Sequence, residues 1–188
     1  MHSVDYNKIA NAYARHRAPS SFVIDELLRG WTGSPESSVL EVGCGTGAHL
    51  LALIKMSGHT GWGIDPSTEM MHHASRDVNA HFVTGIAEQL PFEDRSFGLV
   101  FSVNVIHHME SAQSYFQEAL RVLRIGGVIC TVTDSKRIIK NRRPLSYYWP
   151  GTVRADLKRY PPISLLRQQM IEVGFVNLEE HKSKDGLR

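Results

Sequence analysis

Cysteine is nearly absent from this chain: Cys44 and Cys130 are the only two among 188 residues. Two thiols so far apart in sequence build no disulfide framework, so stability has to rest on an apolar core, and a reducing compartment fits. No apolar run approaches the roughly 20 residues that a membrane-spanning helix needs. The opening MHSVDYNKIA carries an early acid and no apolar stretch of signal-peptide length, so the expected location is the cytoplasm. Neither an internal repeat nor a low-complexity tract is present. A large net charge is lacking too, since 21 Lys and Arg against 19 Asp and Glu leave +2. Hydrophobic residues at 42% and charged ones at 21% describe an ordinary globular chain, long enough for one domain with a real core.

The overall balance hides an asymmetry. Residues 1–135 hold 9 Lys/Arg and 14 Asp/Glu, whereas residues 136–188 hold 12 and 5. A basic C-terminal segment suits an anionic substrate or nucleic acid, and it equally suits a solvated surface.

Apolar and polar stretches alternate in strand-then-helix order. VDYNKIANAYARHR over 4–17 places Val4, Ile9, Ala10, Tyr13 and Ala14 on one helical face. FVIDELLRGW predicts a second helix, with Ser20 or Ser21 at its start and Gly30 near its end. VLEV is the first strand, a helix follows Gly47 and stops near Gly58, and TGWGI is the second strand. Ser67 then caps a helix through Met70, Met71 and Ala74. HFVTG and FGLVFSV are the third and fourth strands. Ser111 opens the helix AQSYFQEALRVL, which the Gly126-Gly127 pair is expected to end. GVICTVT, nearly all β-branched or apolar, predicts a fifth strand covered on both faces. SLLRQQMIEVG predicts a last helix and FVNLEE a sixth strand. The pattern predicts an α/β fold: a three-layer, Rossmann-like, mostly parallel sheet with helices on both faces. In such sheets ligands bind at the carboxyl ends of the strands, beside the point where strand order reverses.

VLEVGCGTG, residues 39–47, belongs at that point. Gly43-Cys44-Gly45-Thr46-Gly47-Ala48 satisfies the dinucleotide fingerprint, and Asp65 lies where that fold keeps an acid for a ribose. A diphosphate and a charged sulfonium ligand both suit such a loop. Glu41, two residues ahead of Gly43, tips the balance, because a carboxylate there repels a diphosphate and attracts a cation. The structural alternative for Glu41 is a partner for the dipole of the helix that follows.

Four further stretches carry a resemblance. VLEVGCGTG, GIDPSTEMM, GIAEQLPFEDRSFGLVFSVNVIHHM and EALRVLRIGGVICTV together resemble class I S-adenosylmethionine-dependent methyltransferases. More narrowly they resemble the small-molecule branch that includes ubiquinone- and menaquinone-biosynthesis methyltransferases (methyltransferase type 11). Tyr6-Asn7, Ala10, Tyr13 and Arg17 are similar to that branch's first helix, and SYYWPGTVRADLKRYPPISLLRQQMIEVGF to its substrate-side lid. The resemblance spans about the whole chain, read as one domain: a helical cap (1–31), a cofactor core (38–135) and a lid with the last helix and strand (136–188).

The resemblance implies S-adenosyl-L-methionine as cofactor, with S-adenosyl-L-homocysteine as product. Glu41 and the Gly43-Cys44-Gly45 backbone are implied to hold its methionine part. Asp65, followed by Pro66, takes the ribose hydroxyls, and Met70 packs on the adenine. Ile86 and Ala87 flank the adenine edge, Asn104 faces the methionine side, and Tyr13 closes over the cofactor. The branch usually has Gly-Asp-Ala where Gly85-Ile86-Ala87 stands here, so backbone or Glu88 has to replace the usual adenine acceptor. Losing such a charged hydrogen bond weakens binding by roughly ten- to a hundred-fold. Gly98 and Ile125 also depart from the branch, where Asp and Pro are usual. A seventh, antiparallel strand is normal in the class and has no sequence left after FVNLEEHKSKDGLR, which suggests truncation.

Methyl transfer from a sulfonium mainly requires positioning and exclusion of water, so the lack of a catalytic triad counts for little. His107 and His108 follow the fourth strand and are the candidate bases, with packing as the alternative. The pairs His72-His73 and His107-His108 do not converge as metal ligands should, so no metal is expected. Tyr147, Tyr148 and Trp149 with Arg142 and Arg143 suggest a lid for a planar or anionic small-molecule acceptor. The Asn/Asp-Pro-Pro-Tyr/Phe motif of nucleic-acid amino-methyltransferases is missing, and Tyr160-Pro161-Pro162 has the wrong order. The competing classes are an NAD(P)-dependent oxidoreductase and a non-catalytic S-adenosylmethionine-binding protein. The sequence leaves the oligomeric state open.

Overall fold

Strand β1 (Ser38–Val42) sits at the centre of the sheet because its side chains feed two apolar layers in alternation. Leu40 and Val42 enter one core cluster, and Val39 enters the other. The computed structural model describes residues 18–31, 33–34, 36–75 and 77–183. The helix expected over 4–17, and Tyr13 with it, lies outside the described residues.

Helix α1 (Ser21–Gly30) precedes β1, and α2 (Ala48–Ser57) follows it. Strand β2 (Gly61–Asp65), short helix α3 (Thr68–His72) and β3 (Ala80–Thr84) come next. Strand β4 (Phe97–Val103), helix α4 (Ala112–Val122) and β5 (Leu123–Val132) complete the sheet. The strand order is β3-β2-β1-β4-β5, and every pair is parallel. Order therefore reverses between β1 and β4. Helices α1 and α2 cover one face through Val23, Ile24, Leu27, Leu50 and Leu53. On the other face α4 brings Tyr115, Phe116 and Ala119, joined by Leu166 of α8 (Ile163–Val173). The expected three layers are present.

Ser67 and Ser111 cap as their positions suggested, each accepting a hydrogen bond from the backbone N–H three residues on. Gly98 has a packing reason: a Cβ there would lie 2.9 Å from both the Trp31 ring and the Ser37 Cβ.

Three expectations need correction. The Gly126-Gly127 pair does not end α4; the chain passes directly from Val122 into β5, and the pair lies inside that strand. Its register slips between the Phe97–Leu123 and Leu99–Val128 pairings, and left-handed Gly126 (φ 78°) absorbs the slip. Strand β5 is covered on both faces only in part: from Gly127 to Val132 it is half-buried at the edge of the described sheet, with Ile129 packed on one core cluster and Val128, Cys130 and Val132 on the other. FVNLEE forms no strand. After the αL cap at Gly174, Phe175 turns into the core, Asn177 takes φ 55°, and Arg167 donates to the Leu178 carbonyl at 3.0 Å. These contacts fold the segment back along α8 instead of letting it pair.

Between β3 and β4 the chain crosses without a helix. Arg121 of α4 holds this loop, donating to the Phe92 and Leu90 carbonyls (2.8 and 2.9 Å) and to Asp94. Glu118 supports Arg121 and accepts from the Leu90 N–H at 2.8 Å. Beyond β5, helices α5 (Lys136–Asn141), α6 (Leu145–Tyr148) and α7 (Pro150–Arg159) pack on one another as a small lid. Among the described residues, no helix is long and apolar enough to cross a membrane.

Candidate functional site

The loop from β1 to α2 is shaped by three glycines in left-handed backbone: Gly43, Gly45 and Gly47. Two are needed for packing. A Cβ on Gly43 would meet Val105 at 2.3 Å, and one on Gly47 would meet the Phe82 ring at 2.6 Å. Gly45 differs, because its added Cβ would meet only the Met70 methyl, at 3.2 Å. The loop is tied to β2 by Gly43 and Cys44, whose N–H groups both donate to the Ile64 carbonyl. The Cys44 thiol is buried, and burial pushes its pKa up, which makes it a packing group and not a nucleophile.

Asp65 ends β2 beside this loop. One carboxylate oxygen accepts from the Gly45 N–H and the other from the Ser67 N–H, both at 2.8 Å. Burial raises its pKa, opposed by these two backbone donors. The second lone pairs of both oxygens are left for a ligand. Pro66 is exposed, and the cap at Ser67 seats buried Met70 opposite Gly45. Gly45, Asp65 and Met70 are thus brought together at one position.

Glu41 lies beneath the loop, close enough for its charge to be felt at Cys44 and Asp65. It shares the parity of Val39 and so projects toward α2, where its Oε2 accepts from the Leu50 N–H at 3.0 Å. The His49 ring lies 3.9 Å from the other oxygen and accepts from the Ser20 N–H at 3.2 Å. Burial raises the pKa of Glu41 to about 8, against the lowering effect of Leu50 and reinforced by the Asp65 charge. The geometry is that of a remote cap on the N-terminus of α2. His49 had no sequence signal as its companion; only the fold joins residues 20, 41 and 49.

At the end of β4, across β1 from Asp65, stands Asn104 in left-handed backbone (φ 54°). Its Oδ1 is buried with no partner among the described residues, an acceptor waiting for a donor. Ile86 is half-exposed and Ala87 buried. The Glu88 carboxylate accepts from the Glu110 and Ser111 N–H groups (2.7 and 3.2 Å), so it is engaged at the start of α4.

His107 and His108 lie on a single 3-10 turn after β4. The His107 ring stacks on Tyr160, with centroids 3.8 Å apart and planes at 17°. Burial, then the neighbouring His108, Arg159 and Arg142, lower the His107 pKa to about 3. It is neutral at pH 7 and a weak base. Burial also lowers His108. Arg142 pairs with buried Asp134 after β5 and reaches Asp156 at 3.4 Å, and Asp156 also holds Arg159 at 2.9 Å. Asp134 and Tyr160 were missed because nothing in their neighbourhood marks them. Tyr147, Tyr148 and Trp149 are exposed, and their rings contact one another in sequence. His72 and His73 are exposed, and among the described residues no group of three or more His, Cys, Asp or Glu could hold a metal. A surface cavity of about 470 Å³ lies by the other strand ends, between Asp94, Leu120, Ile125, Gly127 and Phe175. It shares no residue with the loop.

Comparison with known families matches residues 40–131 to one described as a methyltransferase domain. The 2-methyl-6-phytyl-1,4-hydroquinone methyltransferase of Synechocystis sp. is 32% identical over 130 residues, 67% of this chain and 41% of that protein. The tRNA U34 carboxymethyltransferase of Idiomarina loihiensis is 28% identical over 152 residues, 74% of this chain and 46% of that protein. The chain thus spans less than half the length of either curated relative. Among solved structures, a candidate methyltransferase from an antibiotic biosynthesis pathway of Anabaena variabilis superposes with a TM-score of 0.76 at 27% identity. The match covers 84% of this chain and 62% of that one.

Proposed function

This chain belongs to the class I S-adenosylmethionine-dependent methyltransferase family, and on that premise we propose that it methylates a small-molecule acceptor. The observation that supports this most is the pair of acceptors flanking the glycine loop: Asp65, fixed on the Gly45 N–H, and the unpartnered Asn104 Oδ1. A nucleoside carrying vicinal hydroxyls and a cationic amino-acid tail answers both. When bound there, S-adenosylmethionine would supply an electrophilic methyl group whose bond to sulfur breaks as the acceptor's lone pair bonds to it, S-adenosylhomocysteine being the leaving group.

The residues of this chain bind and orient. Asp65 accepts the ribose hydroxyls through its remaining lone pairs. Gly43, Cys44 and Gly45 offer close backbone, and Asn104 accepts from the ammonium. Met70 gives an apolar floor for the adenine, while the Ile86–Ala87 backbone serves its edge because Glu88 is engaged at α4. Glu41 acts through the helix it anchors, and Pro66 holds the turn after Asp65. Tyr13, outside the described residues, is proposed to close over the cofactor.

The acceptor side is proposed to lie at His107 and Tyr160. Arg142 there is matched by Asp134 and Asp156, which favours a neutral planar acceptor over an anionic one. A ring related to the hydroquinone named for the Synechocystis relative fits this chemistry. His107 is too weak a base to remove an acceptor proton efficiently, so it serves to position Tyr160 and the substrate.

Calorimetry tests the cofactor assignment. S-adenosylhomocysteine should bind saturably, NADH should not, and Asp65→Ala should lose roughly ten- to a hundred-fold in affinity. Tight NADH binding with indifference to S-adenosylhomocysteine would assign the loop to a dinucleotide. Methyl incorporation into a hydroquinone panel, against bulk tRNA, tests the acceptor; transfer to tRNA alone overturns the small-molecule reading.

A further inference from the structure

The lid carries a dense positive charge that the fold leaves unanswered. Between Lys136 and Tyr160 stand eight Lys or Arg and a single acid, Asp156. Arg142 and Arg159 turn onto Asp134 and Asp156. The other six, Lys136, Arg137, Lys140, Arg143, Arg154 and Lys158, are not buried by the fold. None of the six meets a carboxylate among the described residues.

In the middle of this segment, Tyr147, Tyr148 and Trp149 leave 77%, 66% and 57% of their surface exposed. One exposed aromatic needs no explanation, whereas three in succession amid six cations do. Their ring centroids are 5.1 and 5.9 Å apart, and their planes are inclined at 85° and 58°. Rings so inclined make one apolar knob, not the row of parallel faces on which successive nucleobases stack. Because α5, α6 and α7 pack on one another, the cations and the knob belong to one unit.

We propose that this lid docks on the surface of an anionic lipid bilayer, the three rings entering the headgroup layer and the cations meeting lipid phosphates. Tyr and Trp, apolar in body and polar at the tip, favour that boundary. Each Lys or Arg near an anionic surface adds an attraction that salt screens within about 10 Å. An aromatic wedge and a polybasic cluster are the two signals that together hold a protein on a membrane, reversibly and without a span. The same lid stacks Tyr160 on His107, so docking seats the candidate acceptor site at the bilayer, where an apolar substrate is concentrated. The docking itself does not depend on the methyl-transfer reading.

Sedimentation with vesicles of phosphatidylcholine, with and without phosphatidylglycerol, tests this directly. The protein should bind only the mixed vesicles, at least tenfold more weakly once salt shortens the screening length several-fold. Replacing the knob by serine (Tyr147→Ser, Tyr148→Ser, Trp149→Ser) should abolish binding, and Arg154→Glu with Lys158→Glu should weaken it about tenfold or more. Lys55→Glu, on exposed α2 surface, should change nothing. Tryptophan emission should shift to the blue on binding, and Trp149→Phe should remove that shift while keeping attachment. All five positions altered in the lid are exposed, and unchanged circular dichroism verifies the fold of each variant. Equal binding to neutral vesicles, no binding at low salt, or an undiminished serine variant overturns the proposal. Binding to polyuridylate in preference to vesicles at the same salt also overturns it and assigns the lid to nucleic acid.

Discussion

Glu41 shows how one buried carboxyl couples the loop to pH. Its folded value of about 8 lies above the unfolded 4.5. Below about pH 4.5 the group is protonated in both states and its burial carries no charge penalty. As pH rises through 8 the folded chain has to bury a charge or forgo ionisation, so the contribution to stability is lost across that window. Glu41→Gln keeps an acceptor for the Leu50 N–H and removes the charge. Urea midpoints should show the variant more stable at pH 8 by roughly 1–3 kcal/mol, with no difference near pH 4. A variant that is weaker at pH 8 would mean that the carboxylate is charged and well paired in the native protein.

Among the elements, α4 and the lid each depend on a long-range polar contact. Arg121 joins α4 to the loop between β3 and β4 through three partners on that loop, two of them carbonyls. With its side chain 32% exposed, Arg121→Ala should cost about 1.5–3 kcal/mol in denaturant unfolding and loosen residues 85–96 toward protease. The lid rests on the His107–Tyr160 stack. The folded pKa of His107, about 3, is below the ordinary 6.5, so its contribution is present above pH 6.5 and is lost as pH falls through 3. The groups facing it are His108, Arg142 and Arg159, with Asp156 close to His108. His107→Phe keeps the stack without a titrating proton. Stability of the native protein should fall between pH 6.5 and 4 more steeply than that of this variant; parallel profiles would remove His107 from the lid's pH response.

For the molecule as a whole, stability should grade outward from the middle of the sheet. Strands β1 and β4 are paired on both sides and buried, whereas β3 and β5 lie at the edges of the described sheet and are only partly covered. Native-state hydrogen exchange should therefore be slowest in β1 and β4 and faster in β3 and β5. Equal protection across all five strands would indicate that something further covers β5 in solution.

Much of this architecture was legible in the chain itself. Alternating apolar runs placed all five strands to within a residue or two, apart from the early start of β5. Ser67, Ser111, Gly58 and Gly174 marked helix ends, because caps and left-handed turns are governed by contacts a few residues apart. The glycine loop and Asp65 followed from the same short-range sterics and from motif spacing. What tertiary structure alone decided involves partners distant in sequence. Strand parity and the position of α2 gave Glu41 its partners Leu50 and His49. Asp134 met Arg142, and His107 met Tyr160, only once the lid folded back over the strand ends. The glycine pair stayed within β5 because its register against β4 needed a slip, which no local preference encodes. A residue's own conformation is set by its neighbours along the chain, whereas the direction and charge of a buried group are set by whatever packing brings against it.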